Sequence, residues 1–252
     1  MQNNFEEKNI SFLNEKNQEI NISCNEKINL NLVDNFDGEL TIFLQKDSIC
    51  NLRIFYKENK NSLVLRTFLS ENAELNVYFA DFSIGNSSLS ANSILYGNEA
   101  KSTFKYSSIS KNNDAKNYHI SFSHIGEKTI SNLEGYSVNM NESKLKVEGV
   151  SHIEKNSIKS KAHQKIKGIL FDKESVAIAN PILKIDCDDI EASHACAIGS
   201  LNDNHLFYLL SRGLPLKDAR KLITFGYLNP IVEYFDEKDK EELKTIIERE
   251  FN

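Results

Sequence analysis

A chain of 252 residues, 40% of them apolar, is long enough to enclose a continuous core. Its formal net charge of −6 excludes the basic footprint of a protein whose main partner is nucleic acid or an anionic membrane. No apolar run approaches the roughly 20 residues of a membrane-crossing helix, and the start, MQNNFEEKNI, lacks the basic, apolar, small-residue progression of a secretion signal. The cytoplasm is therefore the expected compartment.

From Glu19 onward apolar and polar residues alternate. One row is Ile20, Ile22 and Cys24; the next are Ile28, Leu30, Leu32 and then Leu40, Ile42, Leu44. Cys50, Leu52, Ile54, Tyr56 follow, then Leu63, Leu65, Thr67, Leu69 and Leu75, Val77, Phe79. Later rows are Phe104, Tyr106; Tyr118, Ile120, Phe122; and Leu145, Val147. A period of two predicts strands with one buried face, because successive side chains leave a strand on opposite sides. The links are short and rich in turn formers, as in Asp34 to Gly38, Lys57 to Asn61, Gly85-Asn86 and Gly97-Asn98. The first proline is Pro181, which suits strands paired on both edges.

Many short strands at close spacing allow a β-sandwich, a barrel or a stacked solenoid. No fixed repeat length stands out, so periodicity leaves these alternatives open.

After Cys196 the period changes. Asn202 or Asp203 is placed to cap a helix holding Leu206, Phe207, Leu209 and Leu210, with Gly213 as its C-terminal stop. Pro215 stands at or near the first position of a second helix, with Ala219, Leu222, Ile223 and Tyr227 on one side. Pro230 is expected to break the chain. A last helix from about Asp236 puts Leu243, Ile246, Ile247 and Phe251 together. These helices either cap the stack or form a docking platform.

The chemistry-bearing pair is His194 and Cys196, two residues apart beside Asp186, Asp188, Asp189 and Glu191. Imidazole and thiolate suit iron, zinc and iron–sulfur clusters; the bland alternative is a hydrogen-bonded turn histidine and a small buried filler. Closed sites take about four ligands, so two residues point to a site completed by another chain. The carboxylates alternate along the strand and do not all converge. His163 reads as a hydrogen-bonded turn residue, and His119, His124, His152 and His205 as surface or strand histidines. Cys24 and Cys50 lie in apolar rows and are expected in the core. Cys187 continues the inward alternation of Leu183 and Ile185. The cysteines form no CxxC pair, and free thiols are expected. There is no G-x-S-x-G, P-loop, G-x-G-x-x-G or H-E-x-x-H motif, so enzyme chemistry is not expected.

Asp188-Asp189-Ile190, Ser193-His194, Ala197-Ile198-Gly199, Leu206 to Leu209 and Ser211 to Leu214 together resemble the C-terminal signature of the SufB/SufD family, scaffold proteins of SUF iron–sulfur cluster assembly. The resemblance continues upstream through Ala162-His163-Gln164 and Asn180 to Ile185, and downstream through Asp218-Ala219 to Phe225-Gly226. It implies a mainly β fold: a right-handed parallel β-helix over residues 1–196, followed by a small C-terminal helical region over 197–252 that docks an ATPase. It implies a SufB-type partner subunit and a SufC-type ATPase, with a homodimer left open, and no nucleic acid or membrane. It implies an iron–sulfur cluster held transiently across a subunit interface, with ATP used only through the partner. His194 falls on the SufD histidine, and Leu209 stands where SufB has its cysteine, so the chain looks like a SufD. Ala192 replaces a frequent family cysteine, and Cys196 stands where the family has a small residue. Phe207, Tyr208, Leu210, Arg212, Gly213, Ala219 and Phe225 are the implied partner-binding residues. Family members carry a helical region ahead of the β body, whereas this chain is expected to start close to the β-helix. The alternative is a β-helix that binds carbohydrate or cleaves polysaccharide, with acidic and basic groups converging in a long outer cleft.

Overall fold

The computed structural model describes residues 5–11, 16–33, 37–57, 61–201 and 203–250. The expected turn residues 34–36 and 58–60, the cap candidate Asn202 and Phe251 lie outside them.

The strands are β1 (Glu6–Ser11), β2 (Asn17–Ile22), β3 (Lys27–Val33), β4 (Asp37–Leu44), β5 (Ile49–Tyr56), β6 (Ser62–Leu69), β7 (Glu74–Asp81) and β8 (Ser87–Leu95). They continue as β9 (Lys101–Ser110), β10 (Ala115–His124), β11 (Ile130–Asn139), β12 (Lys144–Ile153), β13 (Ser160–Leu170), β14 (Val176–Ile185) and β15 (Ile190–Ser200). Odd-numbered strands form one eight-stranded sheet and even-numbered strands a seven-stranded sheet, each in chain order. All pairings are parallel, as in β5 with β7 and β10 with β12. The chain thus winds as a β-solenoid, placing one strand per turn in each sheet. Two sheets face one core, as in a sandwich, but the connectivity is that of a parallel β-helix.

The inward rows are the alternating apolar rows of the sequence. Leu40, Ile42, Leu44, Cys50, Leu52, Ile54, Leu75 and Phe79 are sealed in a single cluster. Cys24 is a correction: it is exposed, because β2 ends at Ile22 and the chain turns at Asn25, whose φ is 61°. Cys50 and Cys187 are buried.

Along one edge, the corner residues Asn25, Asp47, Asn72, Glu99, Lys128 and Lys159 all have positive φ. Each N–H donates to a carbonyl of the following coil, for instance Asp47 to Glu71 and Lys128 to Ile158. The corners are therefore stitched as tightly as the sheets. On the outer face, Asn51 donates to Asn29 Oδ1 and Asn76 to Asn51 Oδ1, an amide ladder that satisfies exposed edges coil by coil.

The helices are α1 (Asp203–Ser211), α2 (Leu216–Val232) and α3 (Glu237–Glu250). α2 and α3 do not cap the stack. Leu228, Ile231, Val232, Phe235, Leu243 and Ile247 pack on the outer side of the eight-stranded sheet, against Phe55, Ala80, Phe82, Ile109 and Val138. Tyr234 pins the joint between α2 and α3: its ring stacks on Tyr78 at 4.2 Å, Lys105 donates to its hydroxyl and Arg53 to its carbonyl. Pro215 is the N-cap of α2, and Asp236 Oδ1 accepts the Asp239 N–H to cap α3. Pro230 does not break the chain. It sits in the last turn of α2, and the Glu233 N–H resumes the ladder on the Asn229 carbonyl.

Candidate functional site

Register decides where His194 and Cys196 point. On β15, Ala192, His194 and Cys196 pair with Ala162, Gln164 and Ile166 of β13, which are buried in the core. Parallel register carries the same side from coil to coil, so His194 and Cys196 take the inward side of the last coil. Among the described strands, β15 and β14 are the terminal strands of their sheets, so this side opens at the end of the solenoid. His194 and Cys196 are accordingly exposed although they face the lumen. Partial burial pushes the Cys196 thiol pKa up, which favours the thiol until a cation or metal draws off its proton.

Alternation also puts Ala177, Ala179 and Pro181 of β14 on the inward side, since they pair with Leu145, Val147 and Gly149. Small residues there leave room beside the imidazole and thiol. Pro181 stands in a terminal strand, where its missing N–H is tolerated. Two of the nearby carboxylates are used elsewhere: Asp186 pairs with His152 at 2.8 Å, and Glu191 pairs with Lys161 at 2.8 Å. Lys161 holds the Glu191 carboxyl below its ordinary pKa. No group of three or more His, Cys, Asp or Glu able to hold a metal occurs among the described residues. One chain therefore offers one imidazole and one thiol, short of the about four ligands a cluster takes.

His163 lies in β13 and not in a turn; its Nδ1 is 2.8 Å from Ser193 Oγ on the outer face. His119 and His152 are strand histidines paired with Glu148 and Asp186. His205 is exposed on α1. His124 is buried instead, with Nδ1 at 2.7 Å from Thr129 Oγ1 and Nε2 at 2.8 Å from Ser131 Oγ; burial lowers its pKa to about 4. A second polar feature, absent from the sequence reading, is the ion pair of Lys116 and Asp81 at 2.8 Å, both fully buried. Lys116 also donates to the carbonyls of Asp81, Ser83 and Ile109, and Tyr118 donates to Asp81 Oδ2. The alternation Lys116, Tyr118, Ile120 was the available signal, since it puts the lysine on the inward side.

The second candidate surface is α1. Phe207 is 72% exposed, and Tyr208, Leu210, Leu216 and Leu222 are exposed beside it. The Arg212 guanidinium lies over the Tyr208 ring, 5.2 Å from its centroid. Gly213 has φ +88° and ends α1, with the Leu214 N–H returning to the Leu209 carbonyl. Ala219 is fully buried, and Phe225 is half-buried on the sheet-packing side of α2. Of the seven predicted partner-binding residues, Phe207, Tyr208, Leu210, Arg212 and Gly213 are therefore the accessible ones.

On the seven-stranded sheet an outer hollow is lined by Ser62, Ser88, Asn117, His119, Lys146 and Glu148. Its histidine and glutamate already bind each other.

A family profile described as "SUF system FeS cluster assembly, SufBD core domain" matches residues 14–227. The chain belongs to the SufBD core family. The family so described is one of SUF-system iron–sulfur cluster assembly. This SufBD chain is 30% identical over 156 residues to the iron–sulfur cluster assembly protein SufD of Bacillus subtilis, covering 62% of this chain and 36% of the relative. It is 22% identical over 192 residues to a SufBD family protein of Staphylococcus epidermidis, 75% of this chain and 41% of the relative. A SufBD family protein of Mycobacterium tuberculosis is 28% identical over 125 residues, 50% of this chain and 15% of the relative. The chain thus spans less than half the length of these relatives. The SufBD profile takes in the solenoid from β2 onward, α1 and most of α2. Among the described residues, no helix is long and apolar enough to cross a membrane.

Proposed function

We propose that this chain is a SufD-like scaffold subunit of a SUF complex, pairing with a SufB-type subunit and docking a SufC-type ATPase. The single observation that carries the reading is the pairing of His194 and Cys196 on the inward side of a terminal, uncovered strand. Two soft ligands at an open end are half of a site, and a second subunit set against that end supplies the rest. The cargo is a nascent iron–sulfur cluster shared across the interface. The chain carries out no bond chemistry itself; ATP is consumed by the partner, in the cytoplasm.

Phe207, Tyr208, Leu210 and Arg212 are the docking face for the ATPase, on and just after the first of the helices that follow β15; the expected boundary after residue 196 falls inside that strand, and the helices begin at Asp203. Exposed aromatics with an arginine are the composition of an interface centre. A SufB-type partner is favoured over a second copy because Leu209 occupies the SufB cysteine position of the resemblance.

Co-expression with SufB-type and SufC-type genes tests this reading. A stoichiometric three-component complex is expected, with cluster yield lowered in His194→Ala while assembly is kept. A clean preparation that never retains the ATPase overturns the scaffold assignment. Undiminished cluster formation in His194→Ala overturns the site.

A further inference from the structure

Directly beneath His194 in register is Gln164. It is 2% exposed, and its amide is held at two points: Nε2 donates to Ser151 Oγ at 2.9 Å and to the Ile182 carbonyl at 3.2 Å. A carbonyl only accepts, so the nitrogen must be the atom facing Ile182, and the oxygen is fixed by elimination. That oxygen, Oε1, is buried without a hydrogen-bond partner. A buried, unpartnered acceptor is costly, so its retention calls for a donor that comes and goes. A side chain at Gly149 would crowd Oε1, its Cβ lying 2.9 Å away; the glycine keeps the acceptor clear.

The donor at hand is the His194 imidazole, on the adjacent strand about 4.8 Å away and on the same inward side. We propose that Gln164 is a positioning residue for His194. Its Oε1 accepts one imidazole N–H, selects the tautomer and turns the other, unprotonated nitrogen toward the open end. Ligating histidines are commonly oriented by such a second hydrogen bond. Because the amide is anchored on Ser151 of β12 and Ile182 of β14, it also ties His194 to the opposite sheet. This inference rests on the reading of His194 as a ligand.

Cobalt(II) titration of the full chain, followed by absorbance, tests both points separately. Gln164→Leu is expected to weaken cobalt binding about 10- to 100-fold. His194→Ala is expected to abolish the histidine-dependent part. In nitrogen-15 spectra of the metal-free protein, His194 is expected as a single neutral tautomer, turning into a mixture in Gln164→Leu. If His194→Ala leaves cobalt binding unchanged, the ligand reading fails. If His194→Ala removes binding while a folded Gln164→Leu keeps both wild-type affinity and tautomer, the positioning role alone is overturned. Gln164→Met serves the same comparison where the leucine variant does not fold.

Discussion

In the middle coils, the inward positions of β7, β9 and β10 hold Phe79, Phe104, Tyr106, Tyr118 and Ile120, all sealed from water. In the last coil, inward positions hold partly buried alanines and a proline, and the histidine and cysteine among them are exposed. The middle buries even a charged pair and saturates it: Asp81 receives Lys116, Tyr118, Ser83 and Ser87. At the end, His194 and Cys196 stand open to solvent. One alternation pattern thus serves two purposes, depending on whether another coil follows. A stack gains its stability from neighbours on both sides, and a terminal coil with one neighbour is free to carry chemistry.

Breaking the middle is expected to give the largest effect. Lys116→Met leaves Asp81 buried and uncompensated, and is expected to cost about 3–5 kcal/mol in chemical denaturation. Adding Asp81→Asn is expected to recover a substantial part of that loss. The next largest effect comes from acid. His124 has its pKa lowered to about 4 by burial, against an ordinary value near 6.5. The unfolded chain therefore binds more protons between these values. Its contribution, roughly 3 kcal/mol, is present above about pH 6.5 and is lost as pH falls toward 4. Denaturation midpoints across that window should fall for the wild type and flatten in His124→Gln. The smallest effect is expected at the end: His194→Ala and Cys196→Ala should shift stability by about 0.5 kcal/mol or less. A destabilisation comparable to Lys116→Met would erase the distinction between the two regions.

The inward rows were legible because period two is maintained through each strand: Leu63, Leu65, Thr67 and Leu69 are all buried. The solenoid was hidden because its repeat is not constant. Lys27 pairs with Ile49, 22 positions on, whereas Ile130 pairs with Lys161, 31 positions on. Cys24 misled because alternation runs one step past the end of its strand. The flank that receives α2 and α3 did leave a trace. Ile54-Phe55-Tyr56 and Phe79-Ala80 break the alternation with consecutive apolar residues, as strands buried on both faces do. Pro230 looked like a stop because a proline removes one N–H donor and crowds the preceding turn; α2 runs only two residues beyond it, to Val232. The placement of His194 and Cys196 on one side was legible from their spacing. That this side would be open depended on which coil is last, which residue types do not encode.

The lengthening of the winds has its own geometric consequence. β5 has 8 residues and β15 has 11, so the coils broaden from about 26 Å to about 36 Å at 3.3 Å per residue. Among the described strands the column therefore flares toward β14 and β15. Whatever docks squarely on that rim must present a matching perimeter. Direction along the axis is therefore written into the girth of the molecule, before any side chain is consulted.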